Sequence, residues 1–307
     1  MAELDVSKKW TVLFPPKVPG AKRGAEELSF YIAALRRQGG AVMDPPAMLD
    51  ALDAAPPEEV PLIVLNSEGG GPERNGFTWR AGPGRIEIYG ESGRGLLRGV
   101  YDFLGALGLS WPAPGREKLP AINPARPAEY ALGERQAYKP SGSRNGPGGA
   151  AVQERLIFDR TGSFKNRQKL LAWAARRGID ALILPFAEGP SPAVLAAGRD
   201  PRSRKALLDL AETYAFIIEA GGRELSRLLP RNRFFLHPGL FRMEGGKRLR
   251  DHHFCPTHPE TIAILKREAE KHFRAAGDVR LFHLWPDRQW EHAWCSCPTC
   301  RAFTAPE

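Results

Sequence analysis

The sequence has little sulfur, and most of its length has neither histidine nor cysteine. It holds four cysteines and four methionines among 307 residues, and every histidine and cysteine lies between positions 237 and 300. Residues 1–236 therefore offer no thiolate or imidazole, the side chains that bind transition metals and titrate near neutral pH. Chemistry of that kind is predicted to lie in the last quarter of the chain.

Long apolar runs are also absent. No stretch reaches 18 apolar residues, so the sequence predicts no transmembrane helix and no membrane partner. The opening residues lack a basic segment followed by an apolar one, so no secretory leader is predicted. We therefore expect the protein in the cytoplasm, where free thiols and metal-bound cysteines are more common than disulfides.

The net charge of +9 raises the question of nucleic acid, because phosphate backbones attract basic surfaces. The basic residues form short groups, at 36–37, 176–177 and 246–250, with acids interleaved between them. Dispersed charge of this kind is typical of a solvated surface, and no nucleic-acid partner is predicted. A basic nucleic-acid binder that uses its cysteines as a zinc module remains an alternative.

The first part of the chain, residues 1–112, is predicted to be a small α/β domain. Apolar and alternating segments indicate strands, and amphipathic stripes indicate helices, the second of them with Ser92 as N-cap. These elements are expected at 9–14, 24–40, 60–67, 76–91 and 94–108. A proline-rich segment follows, and residues 113–133 are predicted to be a linker.

Residues 134–307 alternate strands with helices, which favours a parallel sheet. The elements are expected at 154–159, 163–178, 179–186, 203–215, 216–222, 261–277 and 279–286, with 135–139 as an alternative first strand. They make about four β-α units, whereas a complete (β/α)₈ barrel takes about 250 residues. The predicted fold class is therefore α/β, with an incomplete β/α barrel that a missing C-terminal half or self-association would complete.

Three of the four cysteines stand in one short string, at Cys295, Cys297 and Cys300, and Cys255 lies upstream. The Cys-x-x-Cys spacing suits two ligands of one metal ion. Together the four predict a structural zinc site. Reduced buried thiols and a disulfide stay open as alternatives.

Residues 84–115 resemble a known domain. They are similar to the N-terminal domain of α-glucuronidases and to the corresponding domain of family 20 β-hexosaminidases, with an Ile-rich strand, a Ser-x-Arg-Gly helix start and a Trp-x-x-Pro-Gly exit. The matching positions are Gly90, Ser92, Arg94, Gly95, Tyr101, Phe103, Leu104, Trp111, Pro114 and Gly115.

Residues 216–300 are similar to an uncharacterised barrel domain that often follows this N-terminal domain in glycoside hydrolases. The shared pattern runs from His-Pro-x-x-Phe through Gly-Lys-Arg to Cys-x-Cys-x-x-Cys. The matching positions are His237, Pro238, Phe241, Gly246, Lys247, Arg248, Cys255, Thr257, His258, Pro259, Asp287, Cys295, Cys297 and Cys300. The resemblance implies a glycoside-hydrolase-like protein that acts on or binds oligosaccharide, with uronic acids or amino sugars as the implied class.

Candidate catalytic groups follow the last predicted strand. Functional groups of β/α barrels lie at the carboxyl ends of strands, and Asp287 and Glu291 are the first acids there. Glycoside hydrolysis needs two carboxyl groups, one to protonate the leaving oxygen and one to act as nucleophile or base. Both acids are predicted to be catalytic, although ordinary loop acids paired with nearby cations would give the same pattern.

Substrate contacts are predicted among nearby aromatic and basic residues. Tryptophan faces suit sugar rings, which points to Trp285 and Trp290, and an arginine such as Arg248 grips a uronate carboxylate bidentately. His237 and His283 complete the predicted set. The alternative function is a non-catalytic carbohydrate-binding or assembly protein with a structural zinc and cysteine cluster.

Overall fold

The computed structural model describes most of the chain. Its described residues are 2–5, 9–38, 47–50, 60–71, 74–82, 84–120, 129–132, 137–139, 155–157, 164–184, 201–222, 225–276, 279–286 and 294–303. The chain divides into two compact units, one of Met1–Leu156, Thr161–Ala181 and Ala206–Ile217, the other of Ile157–Arg160, Leu182–Lys205 and Ile218–Glu307. The domain limits expected from the sequence stay a prediction.

The structure contains a helix or strand at each predicted position, together with short elements that the sequence did not predict. The strands are β1 (Ala2–Asp5), β2 (Thr11–Phe14), β3 (Ala47–Asp50), β4 (Leu62–Ser67), β5 (Phe77–Gly82), β6 (Arg85–Gly90), β7 (Ser110–Ala113), β8 (Arg116–Lys118), β9 (Glu129–Leu132), β10 (Ala137–Lys139), β11 (Arg155–Ile157), β12 (Ala181–Leu184), β13 (Ile217–Gly222), β14 (Met243–Glu244), β15 (Lys247–Arg248) and β16 (Phe282–Leu284). The helices are α1 (Ala21–Gln38), α2 (Gly93–Ala106), α3 (Phe164–Arg176), α4 (Pro201–Thr213), α5 (Pro259–Ala275) and α6 (Pro298–Arg301). Within the described ranges, no helix is both long enough and apolar enough to cross a membrane.

The first unit is built on a six-stranded sheet with the order β10-β5-β6-β4-β2-β3. Strands β3, β2, β4 and β6 run parallel, and β5 and β10 add an antiparallel edge. Helices α1 and α2 pack against this sheet and against each other. Their buried faces carry the large apolar side chains Leu28, Ile32, Leu35, Leu97, Val100 and Leu104. The burial of these faces explains why the helical periodicity is so plain in the sequence.

Helix α2 begins at the predicted cap. The Ser92 hydroxyl accepts a hydrogen bond from the Gly95 N–H at 3.1 Å, which satisfies one of the free donors of the first turn. Gly90 ends β6 immediately before the cap, and a Cβ there would lie 2.1 Å from the Leu96 nitrogen. Only glycine therefore lets the strand and the helix start approach this closely.

A buried ionic cluster surrounds Arg94 at the start of α2. Arg94 Nε donates to Asp180 Oδ1 at 3.1 Å, and both side chains are almost fully buried. Arg98 lies 3.2 Å from the same carboxylate, which also accepts a hydrogen bond from Asn75 at 3.0 Å. Since an unpaired buried charge is strongly destabilising, these partners depend on one another. The arginine of the Ser-x-Arg-Gly segment thus has a structural role.

The second sheet has four strands in the order β11-β12-β13-β16. Strand β13 pairs with β16 in parallel, with Ala220 opposite Phe282 and Gly221 opposite His283. Residues 155–157 therefore supply the first strand of this sheet, whereas 137–139 join the other one. The predicted α/β class with parallel sheet is confirmed. No closed barrel occurs in the part of the chain that the structure describes.

After β13 the chain makes three short 3-10 turns, at Leu225–Leu228, Arg231–Phe235 and Pro238–Leu240. They pack against α5 around Leu229, Leu240, Phe241 and Ile264. The two-residue strands β14 and β15 then form a hairpin through Gly245 and Gly246, both with positive φ. This compact segment leads into the cysteine-containing part of the chain.

Candidate functional site

The four cysteines come together although one of them is distant in sequence. Cys255 is held by its N–H, which donates to the Leu240 carbonyl at 2.9 Å. Cys295 and Cys297 precede the short helix α6, and Cys300 lies within it. All four side chains are buried and none is in a disulfide. The four form one compact cluster of thiols.

The spacing of the sulfur atoms is compatible with a metal site. All four Sγ atoms lie within 4.8 Å of one another. The Sγ of Cys255 is 3.7 Å from that of Cys297 and 3.7 Å from that of Cys300. A zinc ion with four thiolates at about 2.3 Å has sulfurs about 3.8 Å apart, whereas a disulfide needs about 2.05 Å. The cluster can therefore hold a metal such as zinc, as the spacing in the sequence predicted.

Hydrogen-bond donors surround the sulfurs. The Met243 N–H points to Cys295 Sγ at 3.3 Å, and the Thr257 hydroxyl lies 3.0 Å from Cys300 Sγ. The Arg248 guanidinium also reaches this cluster, with Nη1 3.8 Å from Cys295 Sγ. Partners of this kind orient metal ligands and favour their charged form.

The thiols of the cluster differ in pKa. Burial raises the pKa of Cys297, but hydrogen bonds from the Cys300 N–H and from the neighbouring thiols outweigh it and bring this pKa down to about 6. Burial, the main cause, raises the pKa of Cys300 to about 12. One thiolate thus forms readily at neutral pH, and thiolate is the form that binds metals.

A second polar constellation lies on the paired strands β13 and β16. His283 Nε2 lies 2.6 Å from Glu219 Oε2, and the Glu219 side chain is only 2% exposed. The Trp285 ring meets the His283 ring edge to face, with centroids 5.0 Å apart. A carboxylate on β13 therefore lies beside an imidazole on β16 and an indole directly after β16.

Backbone contacts fix this arrangement. The Trp285 N–H donates to the Gly222 carbonyl at 2.9 Å. Gly221 has φ +112°, and a Cβ there would lie 2.0 Å from the His283 carbonyl oxygen. The close approach of the two strands therefore depends on a glycine at this position.

The other predicted site residues are spread more widely. His237 is exposed at the start of the turn Pro238–Leu240, and Arg248 lies against the cysteine cluster. Asp287, Trp290 and Glu291 lie outside the described residues, so their predicted roles stay predictions. The structure brings His283 and Trp285 together, and it brings the four cysteines together.

Sequence reasoning missed Glu219. It is the single charged residue in the otherwise apolar or small segment 216–222, and a lone acid in a buried strand is a signal because burying a carboxylate is costly unless it is partnered. Thr257 was noted only as a matching position with no role assigned, and Met243 was missed. Met243 contributes only its backbone N–H, which no sequence pattern reveals.

No family model matches the chain, and no curated protein does. Solved structures do resemble it. The Flavobacterium johnsoniae chitobiase of glycoside hydrolase family 20 is 14% identical, with a TM-score of 0.53 over 93% of this chain. A family 115 4-O-methyl-α-glucuronidase with specificity for decorated arabinogalactans is 10% identical, with a TM-score of 0.50 over 90% of this chain. A Streptomyces plicatus β-hexosaminidase is 13% identical, with a TM-score of 0.49 over 92% of this chain.

The chain spans only part of these structures. It covers 42% of the chitobiase, 40% of the glucuronidase and 55% of the hexosaminidase. At such low identity the likeness concerns the fold alone. The chain therefore has a distant structural resemblance to glycoside hydrolase domains.

Proposed function

We propose that this chain is a glycoside-hydrolase-like protein that binds oligosaccharide at the edge formed by β13 and β16. The observation that carries the proposal is the hydrogen bond between Glu219 and His283 beside the Trp285 ring. An indole offers an apolar face to a sugar ring, and an oriented imidazole offers a donor or acceptor to its hydroxyl groups. Side chains near the carboxyl ends of parallel strands are the usual location of such sites.

The finer proposal is that the protein hydrolyses a glycosidic bond of an oligosaccharide that contains uronic acid or amino sugar. The four-stranded sheet is then the first half of a β/α barrel. Asp287 and Glu291 supply the two carboxyl groups that the reaction needs, and Trp290 and His237 extend the sugar contacts. The likeness to a chitobiase and a glucuronidase fold supports this choice of sugars.

The binding proposal is tested by calorimetric titration with chito-oligosaccharides, glucuronic-acid-containing oligosaccharides and neutral cello-oligosaccharides. We expect binding to one of the first two classes, weakened by about tenfold in His283→Ala and in Trp285→Ala, which is the effect of one lost hydrogen bond or ring contact. Phe30→Ala, at a 54% exposed aromatic in the first unit, is the control. Absence of binding to all three classes would contradict the proposal.

The catalytic proposal is tested separately with aryl glycosides of glucuronic acid and N-acetylglucosamine. We expect turnover that Asp287→Asn and Glu291→Gln each abolish while oligosaccharide binding is kept. Binding without turnover would favour the alternative function, a non-catalytic carbohydrate-binding or assembly protein.

We further propose that the four cysteines bind one Zn²⁺ and that this ion is structural. The 3.7 Å separations between sulfurs support the tetrahedral arrangement, and four protein ligands leave no open position for a substrate or water. Metal analysis of protein purified under reducing conditions tests it, with about one zinc per chain expected. A zinc content near zero after incubation with Zn²⁺ would contradict the site.

A further inference from the structure

The proposed zinc site raises a question of charge. Four thiolates and one Zn²⁺ leave two excess negative charges, and all four cysteine side chains are buried. A buried charge is strongly destabilising unless nearby groups offset it. Donors placed around the sulfurs are therefore needed to make such a centre stable.

Arg248 is placed to supply this compensation. Its Nη1 lies 3.8 Å from Cys295 Sγ and donates to the Phe241 carbonyl at 2.6 Å. Arg248, like any arginine in a protein, stays protonated. Its guanidinium is thus positive and is directed at the sulfurs.

The hairpin of β14 and β15 fixes that position. Gly245 and Gly246, with φ of +55° and +79°, make a tight turn that sets Met243 opposite Arg248. Both members of this cross-strand pair reach Cys295 Sγ, Met243 through its N–H and Arg248 through its side chain. One short hairpin therefore directs two donors at one sulfur.

We propose that Arg248 is a positioning residue of the metal centre, where it offsets the thiolate charge and orients Cys295, and that it is not a contact for a sugar carboxylate. The inference rests on the zinc site proposed above. The sequence suggested the arginine of the Gly-Lys-Arg segment for substrate binding. The proposal assigns this arginine to the metal centre instead. The other cation of the segment, Lys247, is exposed and is therefore not assigned to the metal centre.

The test compares the full chain with Arg248→Met, Arg248→Lys and Lys247→Met. Each protein is prepared metal-free under reducing conditions, and Zn²⁺ affinity is measured by competition with a chromophoric chelator. We expect Arg248→Met to weaken zinc binding by about 10- to 100-fold, as for other partners of metal ligands, and Lys247→Met to stay within about twofold. Arg248→Lys keeps the charge but not the planar donor array, so its affinity is expected between the two.

Co²⁺ provides a readout that a merely structural role would not move. Loss of the donor to Cys295 is expected to shift the sulfur-to-cobalt charge-transfer band in Arg248→Met and not in Lys247→Met, because a hydrogen bond draws electron density from the sulfur. Circular dichroism monitors folding. If Arg248→Met fails to fold, Arg248→Lys decides the question through its zinc affinity and cobalt band.

The outcomes separate the two proposals. A wild-type chain that binds no Zn²⁺ overturns the metal site and the role of Arg248 together. A wild-type chain that binds Zn²⁺, with unchanged affinity and an unchanged cobalt band in Arg248→Met and Arg248→Lys, overturns only the role of Arg248. Loss of oligosaccharide binding in Arg248→Met with unchanged zinc affinity would show that Arg248 contacts the substrate and does not serve the metal centre.

Discussion

Glu219 is a carboxylate within a strand whose other side chains are apolar or small, and it is 2% exposed. A buried carboxylate needs partners to remain charged, and its contact with His283 Nε2 at 2.6 Å is one of them. That contact also fixes the orientation of the imidazole ring. Glu219 is therefore placed to position the His283 ring.

Replacing Glu219 with alanine tests this role. We expect Glu219→Ala to lower the free energy of unfolding by roughly 1.5–3 kcal/mol, the contribution of a hydrogen bond to a charged group, and to weaken oligosaccharide binding. Urea denaturation and calorimetric titration measure the two effects. The control is Glu270→Ala, since Glu270 is 63% exposed in a surface ion pair and such pairs contribute little. Equal stability of both variants would contradict the role.

A single cysteine variant tests the metal site at the same scale. Cys297→Ser is expected to reduce bound zinc from about one per chain to near zero, because the hydroxyl is a poor substitute for thiolate. Thr299→Ala, at an exposed position between two of the cysteines, is expected to leave the zinc content unchanged. Inductively coupled plasma mass spectrometry gives the stoichiometry, and full zinc content in Cys297→Ser would contradict a four-cysteine site.

At the residue scale the sequence predicted that the four cysteines come together. Cysteine spacing reports metal binding directly, because two ligands within one turn must reach one ion. Glu219 was not predicted, because its partner lies 64 positions away in sequence and the contact arises only when β13 and β16 pair. The position of Arg248 beside Cys295 depends in the same way on the register of a hairpin.

At the scale of elements, the close pairing of β13 and β16 depends on two adjacent glycines with different surroundings. Gly221 and Gly222 have φ of +112° and +118°. A Cβ on Gly221 would lie 2.0 Å from the His283 carbonyl oxygen, whereas one on Gly222 would meet no atom within 4 Å. Alanine at Gly222 would therefore introduce backbone strain only, whereas alanine at Gly221 would also introduce a steric overlap.

Alanine at each position tests this distinction. Gly222→Ala is expected to cost of order 1–3 kcal/mol through backbone strain alone. Gly221→Ala is expected to cost more and also to weaken oligosaccharide binding, because the added methyl group would displace the strand that carries His283. Urea denaturation and calorimetric titration compare them. Equal effects of the two substitutions on stability and binding would contradict the steric role of Gly221.

The elements themselves were largely predictable. Helices α1 and α2 are buried over most of their surface. Apolar residues at helical spacing predicted both helices, and Ser92 marked the start of α2. The proline-rich segment after α2 gave no periodic signal, yet Ser110–Ala113 and Arg116–Lys118 pair as a short hairpin. Its strands are too short and too polar for a period of two to be visible.

At the scale of the whole molecule, metal binding is expected to stabilise the fold. A ligand that binds only the folded state adds about 4 kcal/mol when present at a thousand times its dissociation constant. We therefore expect a chelator to lower the Tm and added Zn²⁺ to restore it. Differential scanning fluorimetry under reducing conditions measures this, and Cys297→Ser serves as a control that the chelator leaves unchanged. A wild-type Tm that the chelator does not alter would contradict a structural ion.

The architecture was predictable only to the level of class. Alternating strands and helices predicted parallel sheet, and the parallel pair β13–β16 confirms it. The assignment of 137–139 and 155–157 to different sheets was not predictable, because short strands of similar composition carry no information on their neighbours. Whether these strands form half of a β/α barrel depends on strand pairing between residues far apart in sequence. Local sequence patterns do not encode such pairing.

The separation of Cys255 from Cys297, 42 positions along the chain, has a topological consequence. Helix α5 and strand β16 both lie between them, so an ion shared by these sulfurs would close a loop that contains the strand bearing His283. An ion that binds only the folded chain would hold the two ends of this loop together and oppose its local opening. The ion would thereby act on the strand that bears His283 without touching it, and slower amide hydrogen exchange throughout Pro259–Ala275 and Phe282–Leu284 would be its signature.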